Sequence, residues 1–176
     1  MSLWTPPGAD LGEFDPPQPD PIMVNFSGGF DQDGHPRPMT YRRLKEVADT
    51  LTITSTTPEG PASLLGVARN MFALSFYCYQ MLAASAANSI VAVESALKVR
   101  LASNARFNVL IDKAVEEGLV APDTADVVHA GRQIRNNYFH EGKLPQWTFA
   151  MAHNGIGASY RLVRELYPEN EGQEAT

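Results

Sequence analysis

Residues 131–142, GRQIRNNYFHEG, gather two arginines, two adjacent asparagines and a histidine two residues before a glycine. At helical periodicity Arg132, Asn136 and His140 recur every four residues along one face, while Val127, Gly131, Ile134 and Tyr138 form the apolar face and Arg135 sits at the boundary. A guanidinium holds phosphate through a rigid fork of donors, and an imidazole moves a proton near neutral pH. Together these are the two requirements for cleaving a phosphodiester with an internal nucleophile.

Positioning such groups needs helices, and the sequence predicts them from residue 61 onward. The spacing predicts a helix through the 64–84 region, begun by Pro61, and a second over about 86–102, where Ile90, Val93, Leu97 and Leu101 recur every three or four residues. One long helix and two helices broken near 85–88 both fit this pattern. A third helix is expected over 107–117, stopped by Gly118; a fourth runs from Pro122 to about His140, with an acidic first turn; a last spans about 146–167. Within that last helix, Gly155 and Gly157 are expected to permit close approach to a neighbour. Ahead of the bundle, eight of the 13 prolines precede Thr40, so residues 1–60 read as a proline-rich, largely irregular extension. It holds a short extended piece near 22–26, a short helix over 41–51 capped by Thr40, and a linker over 52–60. The expected organisation is therefore an extension at 1–60, a helical bundle at 61–168 and an acidic tail at 169–176.

The chain has 176 residues, 44% hydrophobic and 19% charged, with a formal net charge of -6, which excludes a strongly basic nucleic-acid coat. That charge is unevenly placed. Residues 1–60 carry 4 basic and 9 acidic positions and residues 161–176 carry 2 and 4, leaving 8 and 7 in between, so a local phosphate site remains open to the bundle. The single cysteine, Cys78, excludes a disulfide framework and indicates a reducing, cytoplasmic setting. Residues 1–21 lack the cationic start and apolar core of a signal peptide. The apolar run 71–87 falls short of a membrane span and contains Gln80, so it reads as a buried helix and no membrane partner is expected. Cys78 is expected there as a small hydrophobe. His129 and His153 lack partners at ligand spacing, His35 looks incidental, and no metal or other cofactor is assigned. Neither a phosphate-binding loop nor a dinucleotide fingerprint occurs.

Arg135, Asn136, Asn137, Tyr138, Phe139, His140, followed by Glu141 and Gly142, resembles the motif of the HEPN (higher eukaryotes and prokaryotes nucleotide-binding) domains: arginine, a polar residue, a short spacer and histidine. The upstream stretch 92–102, AVESALKVRLA, is similar to that family's earlier core helix, with Glu94 where a glutamate is frequent. The resemblance covers roughly 64–167. It implies an all-α antiparallel bundle of four to five helices and, on the pattern of active members, a metal-independent endoribonuclease of a toxin/antitoxin or phage-defence type. The partners it implies are RNA, a second copy of the chain forming a composite site at a homodimer interface, and an antitoxin such as a minimal nucleotidyltransferase. His140 would act as general acid or base, Arg135 would stabilise charge on the phosphate, and Asn136 would orient one of them. The products would be a 2′,3′-cyclic phosphate and a 5′-hydroxyl, so the substrate must be RNA.

Each of these residues also has a plainer reading. His140 alone would be a helix C-terminal cap; Arg135 and Asn136 at the motif spacing favour a site. Glu94 either orients Arg135 toward substrate or ties it structurally, in which case loss of one partner costs about 3–5 kcal/mol for reasons of folding alone. Arg132 reads as a solvated helix residue before it reads as a second phosphate contact, Asn137 as either, and Lys143 as a nonspecific phosphate contact. Tyr138, like Phe139, reads as core or dimer packing ahead of base stacking. The functional alternative is a noncatalytic helical module that dimerises or binds a nucleotide or protein through the same surface.

Overall fold

The computed structural model describes residues 17–141 and 147–169; within that range the side chains of 134 and 137–141 lie outside the description. The described residues are mostly helical. A 3₁₀ turn, Met23–Asn25, leads into a two-stranded antiparallel hairpin, β1 Ser27–Phe30 and β2 Pro36–Pro38. Six helices follow: α1 Tyr41–Asp49, α2 Glu59–Leu74, α3 Met81–Arg100, α4 Phe107–Glu116, α5 Pro122–Glu141 and α6 Phe149–Leu166.

Local chemistry explains several of the helix ends. Thr40 Oγ1 accepts from the Arg43 amide at 3.2 Å and Thr148 Oγ1 from the Met151 amide at 3.2 Å, each satisfying a donor that the first turn leaves free. Gly118, at φ +66°, closes α4: its amide donates to the Val115 carbonyl at 2.9 Å and the Leu119 amide to the Ala114 carbonyl at 2.9 Å. The same motif closes α3, but there the left-handed position belongs to Ala102, at φ 45°, with the Ser103 amide reaching the Lys98 carbonyl at 3.1 Å. The start of α5 is capped from another helix. Glu165 of α6 accepts from the Ala121 amide at 3.2 Å and from the Thr124 hydroxyl at 3.0 Å.

The bundle is organised around α3, which packs against α2, α4, α5 and α6. Twelve of its twenty residues are buried, many of them alanine or serine. These small side chains bring α6 close, so that Ser89 and Ser159 place their hydroxyls 2.9 Å apart. Among the described residues α3 is also the one helix long and apolar enough to cross a membrane, and 67% of the relevant window is packed inside the protein.

Three features depart from the sequence expectation. The break between α2 and α3 falls at 75–80, ahead of the 85–88 region, because a residue of the extension holds the turn open: the Asp20 amide donates to the Phe76 carbonyl at 2.8 Å and its carboxylate accepts the Tyr79 amide at 2.8 Å. Cys78 therefore lies in a half-buried turn, its Sγ 3.3 Å from Gln80 Oε1, and not inside an apolar helix. The extended piece begins at Ser27, after the 3₁₀ turn that occupies the 22–26 stretch. The extension also contributes to the common core: Met23, Met39, Leu44, Ala48 and Leu51 are buried in one cluster with Leu65, Phe72 and Leu97.

Candidate functional site

On α5, Val127, Gly131 and Arg135 succeed one another at four-residue spacing, and on α3 Ala86, Ile90 and Glu94 do the same. The two rows meet. A β-carbon on Gly131 would lie 2.6 Å from Ile90 Cδ1, so glycine allows the helices to cross closely at this level. One turn further along each helix, Arg135 Nη1 lies 3.1 Å from Glu94 Oε2, with the Arg135 and Glu94 side chains only 27% and 16% exposed. The approach is an ion pair off the line of a directed hydrogen bond, and Glu94 Oε2 has no hydrogen-bond partner among the described residues. The other carboxylate oxygen, Oε1, accepts from Lys98 Nζ at 2.7 Å. Glu94 is thus shared by two cations, which leaves the cluster with excess positive charge beside α5.

Arg132 is half-buried, and its Nε is buried without a hydrogen-bond partner among the described residues. Asn136 is half-buried on the adjoining turn. The backbone of α5 continues through Glu141, which keeps positions 132, 136 and 140 in helical register, but the side chains of Asn137, Tyr138 and His140 lie outside the described residues, as does the whole of Lys143. The structure therefore brings together Glu94 and Arg135, with Arg132 and Asn136 on the same stretch of helix. Lys98 is a member of the cluster that the motif pattern does not include. Its signal was the Glu94/Lys98 spacing of four on one helix face, a common salt-bridge pattern.

Next to this cluster α3, α5 and α6 enclose a half-open slot of about 310 Å³ lined by Ala86, Ile90, Val127, Gly131, Trp147 and Asn154 among others. Its lining is overwhelmingly apolar, with Asn154 as its amide-bearing side chain. Trp147 is buried and anchored through its main chain, whose carbonyl accepts from the Tyr79 hydroxyl at 2.7 Å. A β-carbon on Gly155 would make an ordinary contact with the Trp147 ring at 3.5 Å, and one on Gly157 would meet the flexible end of Arg161 at 3.6 Å. Neither approach is too close for a side chain, so the close packing expected of these two glycines is not what α6 uses them for.

Several other ionisable groups among the described residues have structural partners. Tyr160 donates its hydroxyl to the Leu65 carbonyl at 2.7 Å, and burial pushes its pKa up to about 12 against the opposing pull of Arg69. Burial also raises Tyr167, opposed by Arg100. Hydrogen bonds from Ser55 lower Glu169. His129 Nε2 pairs with Asp112 Oδ1 at 3.1 Å, and His153 stacks on Phe149. Among the described residues Asp31, Asp33 and His35, at the hairpin turn, form the group whose potential metal-ligand atoms come within 4.8 Å of one another. Asp31 Oδ1 is already engaged by the Asp33 and His35 amides at 3.0 and 2.8 Å, which shape the turn.

The described chain is thus an all-α helical bundle carrying a small hairpin, with a cationic cluster and an apolar slot side by side on α3 and α5. No family model, curated protein or solved structure matches it.

Proposed function

We propose that this protein is a metal-independent endoribonuclease of the HEPN kind, acting in a toxin/antitoxin or phage-defence setting in the cytoplasm. The observation that carries the reading is the Glu94–Arg135 pair, 3.1 Å apart across α3 and α5, which holds the arginine of the motif in one orientation beside Arg132 and Asn136. In the proposed reaction the ribose 2′-oxygen bonds to the adjacent phosphorus, the bond from phosphorus to the 5′-oxygen breaks, and the products are a 2′,3′-cyclic phosphate and a 5′-hydroxyl. His140 takes the proton from the 2′-hydroxyl or gives one to the leaving 5′-oxygen, with solvent water completing the other transfer, while Arg135 stabilises the charge that develops on phosphate and Asn136 orients one of them. Catalysis by two copies of the chain, facing each other across the motif, belongs to the same proposal, as does an antitoxin that covers the site.

Incubating the purified protein with mixed RNAs in EDTA tests this directly. Cleavage with cyclic-phosphate ends, lost in a folded His140→Ala variant, is the expected result; the same fragment pattern from wild type and variant overturns it. A noncatalytic binding module is the second reading. The acidic balance of residues 1–60, with 9 acidic to 4 basic positions, favours it by repelling a polyanion, and it predicts RNA or nucleotide binding without any cyclic-phosphate product.

A further inference from the structure

We infer that the slot between α3, α5 and α6 seats one nucleobase of the substrate, with its phosphate reaching the arginines of α5; this inference rests on the RNA reading above. The slot is about 310 Å³, half open and almost wholly apolar, which suits one flat ring system better than an extended polar chain. Trp147 supplies an aromatic wall, and Gly131 and Gly155 leave out side chains that would protrude from the walls. Asn154 is exposed on the lining and offers an amide donor and acceptor to a base edge, the means by which single-stranded RNA is read.

Charge selects a nucleotide over a merely apolar guest. The rows of residues that line the slot continue directly into cations: Val127 and Gly131 are followed four residues on by Arg135, and Val128 by Arg132. One helical turn is about 5.4 Å, roughly the separation of a base from its own phosphate group. Arg132, one turn beyond the lining residue Val128, has a buried Nε with no hydrogen-bond partner among the described residues, and a turn of its side chain that uncovers this atom would let a phosphate oxygen supply one. Asn154 and Trp147 are therefore specificity-determining residues, and Arg132 is the phosphate contact of the seat.

The test uses the full chain carrying Trp4→Phe, so that Trp147 is the sole tryptophan reporter. Its fluorescence is titrated with the four ribonucleoside 5′-monophosphates, the matching nucleosides, inorganic phosphate and acetophenone, a neutral ring compound without tryptophan-like emission. The expected result is saturable quenching by monophosphates, about tenfold tighter than by nucleosides because a charge-assisted contact is added. Arg132→Gln should remove that advantage and leave nucleoside affinity in place. Ala130→Phe, at an exposed position on the lining, should weaken every nucleotide at least about tenfold with the thermal midpoint unchanged, and Asn154→Ala should shrink the spread between the best and worst base about fivefold. Saturable quenching by acetophenone but by no nucleotide, no saturable quenching at all, or nucleotide affinity untouched by Ala130→Phe each overturns the inference. RNA cleavage is scored separately. Nucleotides that bind and are blocked by Ala130→Phe, in a protein that cuts no RNA, leave the seat standing and remove the catalytic reading. RNA cut with rate and base preference unaltered by Ala130→Phe does the reverse.

Discussion

A β-carbon on Gly131 would stand 2.6 Å from Ile90 Cδ1, so α5 crosses α3 where α5 carries no side chain. Alanine normally gains about 1 kcal/mol over glycine within a helix, yet here the methyl would require the Cδ1 end of the buried Ile90 side chain to move aside. Gly131→Ala should therefore destabilise the protein by about 1 kcal/mol in chemical denaturation. In an Ile90→Val background, which lacks the clashing carbon, the same substitution should become neutral or stabilising. Equal effects in both backgrounds would show that this contact does not set the crossing.

The crossing in turn delivers Arg135 to Glu94. With side chains 27% and 16% exposed, the pair is sheltered enough for its attraction to survive moderate salt. A double-mutant cycle with Glu94→Gln and Arg135→Gln should give a coupling of about 1–3 kcal/mol that changes little between low and physiological ionic strength. Coupling near zero would make Arg135 a free surface arginine. Any loss of RNA cleavage in the Arg135 variant has to be compared with its unfolding curve, because it leaves the sheltered Glu94 carboxylate with Lys98 alone, which is destabilising in itself.

Ala102 adopts φ 45° at the end of α3, a conformation that costs a residue with a β-carbon about 1 kcal/mol and glycine almost nothing. Its side chain is exposed, so nothing is lost in packing. Ala102→Gly should raise stability by about 0.5–1 kcal/mol, measured as a rise in the denaturation midpoint with an unchanged slope. A lower midpoint would contradict the left-handed closure.

Tyr160 links stability to alkaline pH. Its pKa of about 12 in the folded protein exceeds the ordinary tyrosine value near 10, so the fold prefers the neutral phenol. Its contribution is fully present below pH 10 and is lost as pH rises toward 12, because the unfolded chain releases its proton first. The loss should amount to about 1–3 kcal/mol across that interval. Tyr160→Phe should flatten this stretch of the stability–pH curve, at a cost near neutrality of about 1 kcal/mol for the hydrogen bond to Leu65. An identical alkaline slope in the variant would assign the effect to other groups.

Asp20 is a further point of control. Its carboxylate holds the Tyr79 amide at 2.8 Å, while Tyr79 in turn holds the Trp147 carbonyl at 2.7 Å, so the extension, the α2–α3 turn and the slot wall form one chain of contacts. Asp20→Ala should speed hydrogen exchange at the Tyr79 amide about tenfold or more, with exchange in the middle of α3 much less affected. Unchanged exchange at Tyr79 would show that the turn holds itself.

Where short-range chemistry decides, the sequence was informative. Thr40 before an amphipathic stretch, Gly118 after one and Pro122 at the head of another act on the neighbouring turn alone, and those boundaries fall within a residue or two of expectation. The candidate motif was legible as a pattern along α5, and Glu94 as a glutamate on an earlier core helix. Their meeting was not. The Glu94–Arg135 contact depends on how closely α3 and α5 cross, which Gly131 permits only opposite Ile90; the turn at 75–80 depends on Asp20, far away in the chain; and the slot exists only where α3, α5 and α6 fail to fill the space between them. Helix propensity is a local quantity and shows in the order of residues, whereas a crossing, a remote cap and a cavity are properties of surfaces brought together by folding, and only the tertiary structure decides them.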